Sequence, residues 1–374
     1  MARRSRLLVR KLTFDGFRNL HPGHWAPCEG VNILAGDNAQ GKTNLLEACW
    51  LFTGARSFRG AKDREMVAFD AERAKLALAF YAGGREQTAD IAIEQRRSVS
   101  LNGIKLPSAA RLAGTFCGIV FSPAHLSLIK DGPDGRRRFV DSAYCQLRPA
   151  YVGTLTEHAK VLTQRNAFLR QMGESGGISS SDGEMLSLWD NALAVAAARV
   201  TAARCRYVQK IEPIAADIYS GLSGGREKLS LAWNSPAYET GATTAQIAAN
   251  WVSLLEKAHR ADKAAGFSTV GAHREDMDIL LDGTPARIYG SQGQQRSAVL
   301  ALKMAEATVL QEITDEPPVA FLDDVMSELD VSRQDYILNH IHDWQVFITC
   351  CEPTAALRMN AGKVFQIKQG VISE

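Results

Sequence analysis

The sequence predicts an α/β protein in which mixed sheets form one large unit and a helical hairpin is inserted between its two parts. Three observations carry this prediction. Alternating apolar segments near the start are typical of strands, long helical patterns begin near residue 136, and strand-like segments return after residue 217. We therefore expect an N-terminal part at 1–135, a helical insertion at 136–217 and a C-terminal part at 218–374.

The individual elements follow from periodicity and from turn residues. Gly83-Gly84 separates two strand-like segments, which predicts a hairpin. In the insertion, the glycine- and serine-rich segment 173–183 predicts a flexible loop between two helices, and the alanine-rich stretch 192–203 favours helix. The candidate strands are 8–14, 31–34, 76–81, 91–94, 228–233 and 278–281.

Composition excludes several classes of protein. The chain has 374 residues, of which 46% are hydrophobic and 22% charged, as expected of a large globular core. No apolar stretch approaches the roughly 20 residues of a membrane span, so we expect a cytoplasmic protein without a membrane partner. Seven cysteines without C-x-x-C spacing argue against a disulfide framework or zinc site. The net charge of +2 neither requires nor excludes nucleic acid.

A P-loop follows the strand-like segment at 31–35 and precedes a helical pattern. This setting aims backbone N–H groups and a helix N-terminus at phosphates, so the motif predicts nucleoside triphosphate binding. Lys42 is expected to contact the outer phosphates, and Thr43 to bind Mg²⁺. The motif residues are Gly36, Asp37, Asn38, Ala39, Gln40, Gly41, Lys42 and Thr43, and Asn44 follows them.

A second acidic motif completes the predicted nucleotide site. The apolar segment 318–322 ends in Asp323 and Asp324, as a Walker B strand does. Asp323 is then the candidate Mg²⁺ ligand, and Asp324 the candidate general base. Asp324 and Lys42 are the predicted catalytic residues. The following Ser327-Glu328-Leu329-Asp330 and the strand 346–349 complete the layout of ABC-type ATPases.

Such ATPases also need a signature turn that opens a helix and contacts the γ-phosphate held by another subunit. Leu222-Ser223-Gly224-Gly225-Arg226 is closer to the usual L-S-G-G-Q spelling, but it lies far from Asp323 and precedes a strand pattern, so we interpret it as a turn. The segment about thirty residues before Asp323 opens a clear helical pattern instead. The predicted signature residues are Ser291, Gln292, Gly293, Gln294 and Gln295.

The signature and the P-loop of one such head lie too far apart to contact the same nucleotide. Two heads must then meet head to tail, with ATP between them. Because the chain carries one of each motif, we predict an ATP-dependent homodimer with two composite sites.

Together these segments resemble the RecF family, which is related to the Rad50 and SMC heads. After 121–123 the family commonly has an acidic pair where this chain has Ala124-His125, and Thr349-Cys350-Cys351 replaces a threonine run. The matching segments are 12–20, 36–47, 121–123, 135–141, 164–167, 271–276, 291–296 and 322–330.

The resemblance implies an ABC-type, Rad50/SMC-like P-loop ATPase head with a helical-hairpin second domain. It also implies ATP and Mg²⁺ binding, dimerisation, weak DNA-stimulated ATP hydrolysis and DNA binding near junctions of single-stranded gaps and duplex. The implied partners are RecR, RecO and RecA, in recombinational repair, DNA replication and the SOS response. By the same similarity Arg18 and Asn19 lie against the nucleotide, although a strand-end arginine and a turn asparagine would fit the sequence as well.

Three other classes of protein share part of this pattern. An ABC transporter ATPase subunit shares the motifs, but the P-loop and Asp323 are roughly 280 residues apart here and a helical insertion separates them. The helices are too short for the sustained heptads of an SMC or Rad50 coiled coil. A clamp that binds ATP without hydrolysing it differs little in sequence. No base-reading motif is visible, so DNA contact should go through phosphates, with Arg56, Arg59, Lys62, Arg64 and the run 136–138 as candidates.

Overall fold

A computed structural model describes residues 6–174, 180–351 and 362–374. Within them the chain forms three β-sheets and a layer of long helices, which confirms the predicted α/β class with mixed sheets. None of the helices in these three ranges is both long and apolar enough to cross a bilayer.

The first sheet is antiparallel. Its strands are β1 (Leu8–Asp15), β2 (Gly23–Trp25), β4 (Ala74–Ala82), β5 (Arg85–Ile93), β6 (Arg97–Leu101) and β7 (Ile104–Leu106), in the order β2-β1-β4-β5-β6-β7. Buried and less buried residues alternate along β4, as in a sheet with one face on the core. The predicted hairpin at Gly83-Gly84 joins β4 to β5, and both glycines have positive φ.

The second sheet is parallel except at one edge. Its strands are β3 (Val31–Ala35), β8 (Gly118–Phe121), β12 (Val319–Leu322), β13 (Val346–Cys350), β14 (Gly362–Lys368) and β15 (Val371–Ser373), in the order β15-β14-β3-β13-β12-β8. Only β15 runs antiparallel to its neighbour. Every residue of β3, β8 and β12 is buried, which explains why their sequences are apolar apart from Asn32, whose amide is hydrogen-bonded to backbone carbonyl oxygens. The carboxyl ends of β3, β12 and β13 therefore meet at one edge, where ligands bind in open α/β sheets.

The described part of the chain also contains a small antiparallel sheet, nine α-helices and five short 3₁₀ helices. The sheet consists of β9 (Leu229–Asn234), β10 (Asp276–Leu281) and β11 (Thr284–Pro285). The helices are α1 (Lys42–Trp50), α2 (Pro123–Leu126), α3 (Pro133–Leu147), α4 (Tyr151–Glu174), α5 (Ser180–Ser223), α6 (Thr244–Ala265), α7 (Ala286–Tyr289), α8 (Gln292–Thr314) and α9 (Val331–His340).

We call α3 to α6 the helical layer. The sequence predicted two helices here, but the first arm is split into α3 and α4 around Pro149, which cannot supply a backbone N–H to a continuous helix. Helix α5 already begins at Ser180, inside the predicted loop, while 175–179 lie outside the described residues. Helix α6 was not predicted, although Trp251 and Leu255 on it pack against α5. The division at 136–217 stays a prediction.

One apolar cluster joins both large sheets to α1 and α8. Trp25 of the first sheet packs against Phe347 and Phe365 of the second, with ring centroids 5.1 and 5.5 Å apart. Trp50 at the end of α1 meets Phe321 of β12 edge to face. This packing holds the P-loop strand and the Asp323 strand in fixed register.

Candidate functional site

The P-loop connects β3 to α1 as the sequence predicts. Gly36 has φ 153°, and a Cβ there would lie 2.3 Å from the carbonyl oxygen of Ile367. Only glycine therefore fits this position. The Lys42 amine donates hydrogen bonds to the carbonyl oxygens of Gly36 (2.6 Å) and Asp37 (2.9 Å), so it lies over the mouth of the loop.

The two predicted Mg²⁺ ligands meet although 280 positions separate them. Thr43 Oγ1 donates a hydrogen bond to Asp323 Oδ1 at 2.7 Å. Burial raises the pKa of Asp323, as does the charge of Asp324, and the hydrogen bonds from Thr43 and Thr349 oppose that rise. A carboxylate and a hydroxyl are oxygen ligands of the kind that Mg²⁺ binds, and a cation would offset the buried charge. The residues present fit a Mg²⁺ site.

Thr349 is a site residue that motif reasoning missed. Its hydroxyl accepts a hydrogen bond from the Asp324 N–H (2.8 Å) and lies 3.1 Å from Asp323 Oδ1. Asp324 has φ 50°, a rare left-handed conformation outside glycine. The predicted strand 346–349 contained the signal, because the end of a neighbouring parallel strand faces the same edge.

Arg18 and Asn19 both reach the site, but through protein contacts. Asn19 donates to the Ala39 carbonyl oxygen (3.0 Å) and accepts from Asn44 (2.7 Å), so it holds the P-loop. Arg18 forms two hydrogen bonds to the fully buried Glu47, at 3.0 and 3.1 Å. Glu47 was not predicted as a site residue. Direct contact of Arg18 or Asn19 with a nucleotide stays a prediction.

The turn between β14 and β15 supports the P-loop from the other side. The Gly370 N–H donates to the Gln40 carbonyl oxygen at 2.9 Å. A Cβ at Gly370 would lie 1.9 Å from the Asn19 carbonyl oxygen, so the chain passes too closely for a side chain. Neither strand was predicted, because the short apolar segments there carry no motif.

These elements surround an open groove of about 1650 Å³. Besides Lys42 and Thr43 it is lined by Asp324, and four arginines contribute positive charge. Phe69 at its rim is fully exposed. The groove is lined by five acidic and five basic residues, so it is not positive as a whole, but its P-loop end, with Lys42 and backbone N–H donors, is suited to a polyphosphate. The four arginines are Arg18, Arg59, Arg64 and Arg73.

The predicted signature opens α8. Ser291 is the N-cap residue: its hydroxyl accepts from the Gln294 N–H, and the Gln294 side chain accepts from the Ser291 N–H at 2.7 Å. This capping box leaves Ser291 and Gln292 exposed at a helix N-terminus, where an anion can bind. Gln295 instead is buried and donates to the Ala286 carbonyl oxygen. No signature residue lines the groove.

The candidate DNA-binding arginines divide by burial. Arg136 is buried and forms two hydrogen bonds to Asp276, at 2.7 and 2.8 Å, so the sequence interpretation is wrong for it. Arg137 donates to the Glu275 carbonyl oxygen, whereas Arg138 is exposed. The basic residues at 56, 59, 62 and 64 are also exposed.

The substitution at 124–125 produces a neutral histidine. His125 Nδ1 lies 3.0 Å from Ser122 Oγ. Burial lowers the pKa of His125 to about 3, with a contribution from the nearby charge of Lys303. This loop therefore presents an uncharged ring at position 125.

Known proteins similar to this chain were found by sequence and by structure. No family model matches the chain. The DNA replication and repair protein RecF of Ruminiclostridium cellulolyticum is 36% identical over 348 residues, which cover 92% of both chains. RecF of Synechococcus sp. strain JA-3-3Ab is also 36% identical over 348 residues, 91% of each chain.

Solved structures give the same context. A structure of the recombination mediator protein RecF with ATP, in the RecFOR pathway, is 33% identical, covers 100% of this chain and 98% of its own, and has a TM-score of 0.91. The Smc head domain of Pyrococcus furiosus is 14% identical, with a TM-score of 0.54 over 98% of this chain and 95% of its own. The second match shows a shared ABC-type head fold.

Proposed function

This chain belongs to the RecF family of DNA replication and repair proteins, and we propose on that premise that it is an ATP-dependent DNA-binding protein of recombinational gap repair. In this proposal ATP brings two copies together as a homodimer on DNA, and slow hydrolysis releases them. The solved RecF structure with ATP supports the choice of nucleotide.

The observation that carries the proposal is the contact between Thr43 Oγ1 and Asp323 Oδ1, which joins the P-loop to the Walker B strand. Thr43 and Asp323 would hold Mg²⁺, which neutralises charge on the phosphates when bound. Lys42 binds the outer phosphate oxygens from its position over the loop. Asp324, held by Thr349, accepts a proton from the attacking water.

Hydrolysis should be slow. The Asp324 carboxylate is one methylene shorter than the glutamate that many ABC ATPases use, so its reach toward a water is smaller. We propose a weak, DNA-stimulated ATPase in which hydrolysis resets the dimer. A clamp that only binds ATP remains the alternative, and phosphate release measured with and without DNA separates the two.

Exposed apolar residues support a head-to-tail dimer. Ile288 and Tyr289, just before the signature, are 70% and 71% exposed, and Phe69 is fully exposed at the rim of the groove. Contact between the signature of one head and the groove of another would cover both surfaces. This contact would also bring Ser291 of one head to the γ-phosphate bound in the groove of the other head, because no signature residue lines the groove of its own chain.

Membership of the RecF family supports a proposal for the DNA and protein partners. We propose that the dimer binds duplex and gapped DNA in the cytoplasm near junctions of single and double strands, works with RecR and, with RecO, helps to load RecA. Exposed arginines and lysines would contact phosphates, so DNA affinity should fall steeply as salt is raised.

Fluorescence anisotropy of labelled gapped duplex DNA tests the proposal, with protein titrated in the presence and absence of Mg-ATP. Binding that needs both ATP and Lys42, with Lys42→Ala as the matched variant, is the expected result. Absence of DNA binding under every condition would overturn the DNA function while leaving the nucleotide site intact.

Sedimentation velocity tests the assembly separately. Mg-ATP should convert wild-type monomers to dimers. The Ser291→Arg variant should remain monomeric, because the bulky, positively charged side chain blocks the N-terminus of α8. Equal dimerisation of Ser291→Arg and wild type would contradict the composite site.

A further inference from the structure

The Leu222–Arg226 segment is a turn and not the signature. It places the Glu227 carboxylate beside the predicted signature at 291–295. Helix α5 ends at Ser223, and Gly224 and Gly225 follow with φ 67° and 73°. Two consecutive left-handed residues reverse the chain, and glycine adopts this conformation without strain. The Gly225 N–H closes the turn on the Ser220 carbonyl oxygen at 2.8 Å. As a result Glu227 returns beside the end of α5.

Glu227 connects α5 to the signature through both of its oxygens. Its Oε2 accepts a hydrogen bond from the Tyr219 hydroxyl at 2.6 Å. Its Oε1 accepts from Gln294 Nε2 at 2.8 Å. Tyr219 is buried on α5, so one end of this chain of hydrogen bonds is fixed in the core.

This contact determines the orientation of the Gln294 amide. A carboxylate accepts only from the NH₂ side, so the amide oxygen must point the other way. That oxygen is the one that accepts from the Ser291 N–H at 2.7 Å. A flipped amide would set two oxygens against each other and would break the capping box. Ser291, at the exposed N-terminus of α8, therefore takes its position from Glu227 through Gln294.

We propose that Glu227 is a positioning residue of the composite ATP site, which links the helical layer to the signature so that Ser291 is presented in one orientation to the γ-phosphate of the opposing subunit. The inference rests on the proposed function, since it requires that the signature act across a dimer. Glu227 itself contacts no nucleotide in this scheme.

The variants separate positioning from simple loss of charge. Glu227→Ala removes both hydrogen bonds, whereas Glu227→Gln can still accept from Gln294 and donate to Tyr219. Glu239→Ala is the matched control, because Glu239 is an exposed carboxylate on the connection that follows β9. Three readouts are compared: Mg-ATP affinity of the dilute monomer, ATP-promoted dimerisation by sedimentation, and kcat against KM for hydrolysis.

Hydrogen bonds to charged groups set the size of the expected effect. Glu227→Ala should weaken ATP-promoted dimerisation and lower kcat about ten- to a hundredfold, with the monomer's Mg-ATP affinity unchanged. Glu227→Gln should recover most of both, and Glu239→Ala should match wild type. Wild-type dimerisation in Glu227→Ala overturns the inference, and so does a loss that Glu227→Gln fails to restore.

Hydrogen–deuterium exchange over residues 286–297 of the free protein gives a readout that does not depend on the dimer. Glu227→Ala should speed exchange there, and Glu227→Gln should restore it. Unchanged exchange overturns the inference. If wild type itself forms no dimer with Mg-ATP, the proposed assembly fails and the role in a composite site fails with it, while the exchange result still decides whether Glu227 orders the signature.

Discussion

At the carboxyl ends of the parallel strands some charged side chains face an open groove, although Lys42 and Asp323 there are buried, whereas in the helical layer charged side chains are enclosed by the partners that neutralise them. Asp324 and Arg59 line an open groove. Arg165 of α4 and Asp262 of α6, in contrast, are completely buried and bonded at 2.7 Å. The same residue types thus serve ligand binding in one region and helix packing in the other.

The helical layer contains a network of such pairs. Arg165 donates to Asp190 and Asp262 and so ties together α4, α5 and α6. Arg204 of α5 binds Asp141 of α3 and Glu275 before β10. Breaking a buried pair leaves the remaining charge unpaired in a poor solvent, which costs much more than breaking a surface pair. The comparison teaches that the surroundings of a charge, either the nucleotide groove or a partner of opposite charge, decide its role here more than its residue type does.

The largest expected effect tests the accessible charges. Asp324→Asn should lower ATP hydrolysis about 10²- to 10⁴-fold, the usual contribution of a general base, with little change in thermal unfolding. Phosphate release and a melting curve measure the two. Normal hydrolysis by this variant would show that Asp324 is not the general base and that this charge in the groove has no catalytic role.

The next effect tests the enclosed charges. Arg165→Met should lower the free energy of unfolding by about 3–5 kcal/mol, because Asp190 and Asp262 lose their shared cation. Urea unfolding measures this. The matched control is Arg199→Met on the same layer, whose pair with Glu157 is about half exposed and should contribute about 1 kcal/mol or less. Equal costs for the two variants would contradict the assigned difference.

A pH effect sharpens the comparison from within the helical layer. Burial lowers the pKa of His158 to about 4, and the nearby His273 and Arg204 add to the shift. The unfolded chain, with an ordinary histidine pKa near 6.5, therefore binds a proton that the folded chain excludes. Stability should be fully present above about pH 6.5 and should fall as the pH drops toward 4, by roughly 1–3 kcal/mol for this residue.

The control for this pH effect is a solvent-exposed histidine. Urea unfolding at several pH values should show a flatter profile for His158→Gln than for wild type. His24→Gln, which removes an exposed histidine, should leave the profile unchanged. A profile for His158→Gln that matches wild type would contradict the assignment.

The smallest effect concerns two arginines of the run 136–138. Arg138 is exposed, so Arg138→Gln should leave stability unchanged and, if it contacts a phosphate, reduce the salt slope of DNA binding by about one. Arg136→Gln should destabilise the fold instead, since Asp276 would lose its buried partner. Anisotropy over a salt series and urea unfolding distinguish these outcomes. If Arg138→Gln destabilised the fold and Arg136→Gln changed only the salt slope, the roles assigned to the two arginines from their burial would be wrong.

Much of the site was accessible from the sequence because its motifs are local. The P-loop, the acidic pair after β12 and the helix that begins at the signature were predicted at the positions where the structure has them. Glycine turns and apolar runs act over a few residues, so a short window contains their signal. Helix α6 and the β14–β15 turn lacked such signals. The break at Pro149 carried one, but the predicted first arm ran through it.

The sequence by itself determined the α/β class, the P-loop and the Walker B strand, because backbone conformation and burial pattern there depend on neighbouring residues. Only the tertiary structure decided which side chains became partners. The strand order β3-β13-β12 brings Thr43, Thr349 and Asp323 together, and the turn at 224–225 brings Glu227 to Gln294. Apart from the shared Mg²⁺ role that the motifs gave to Thr43 and Asp323, local patterns carry no information about such contacts, since the residues that form them lie tens to hundreds of positions apart.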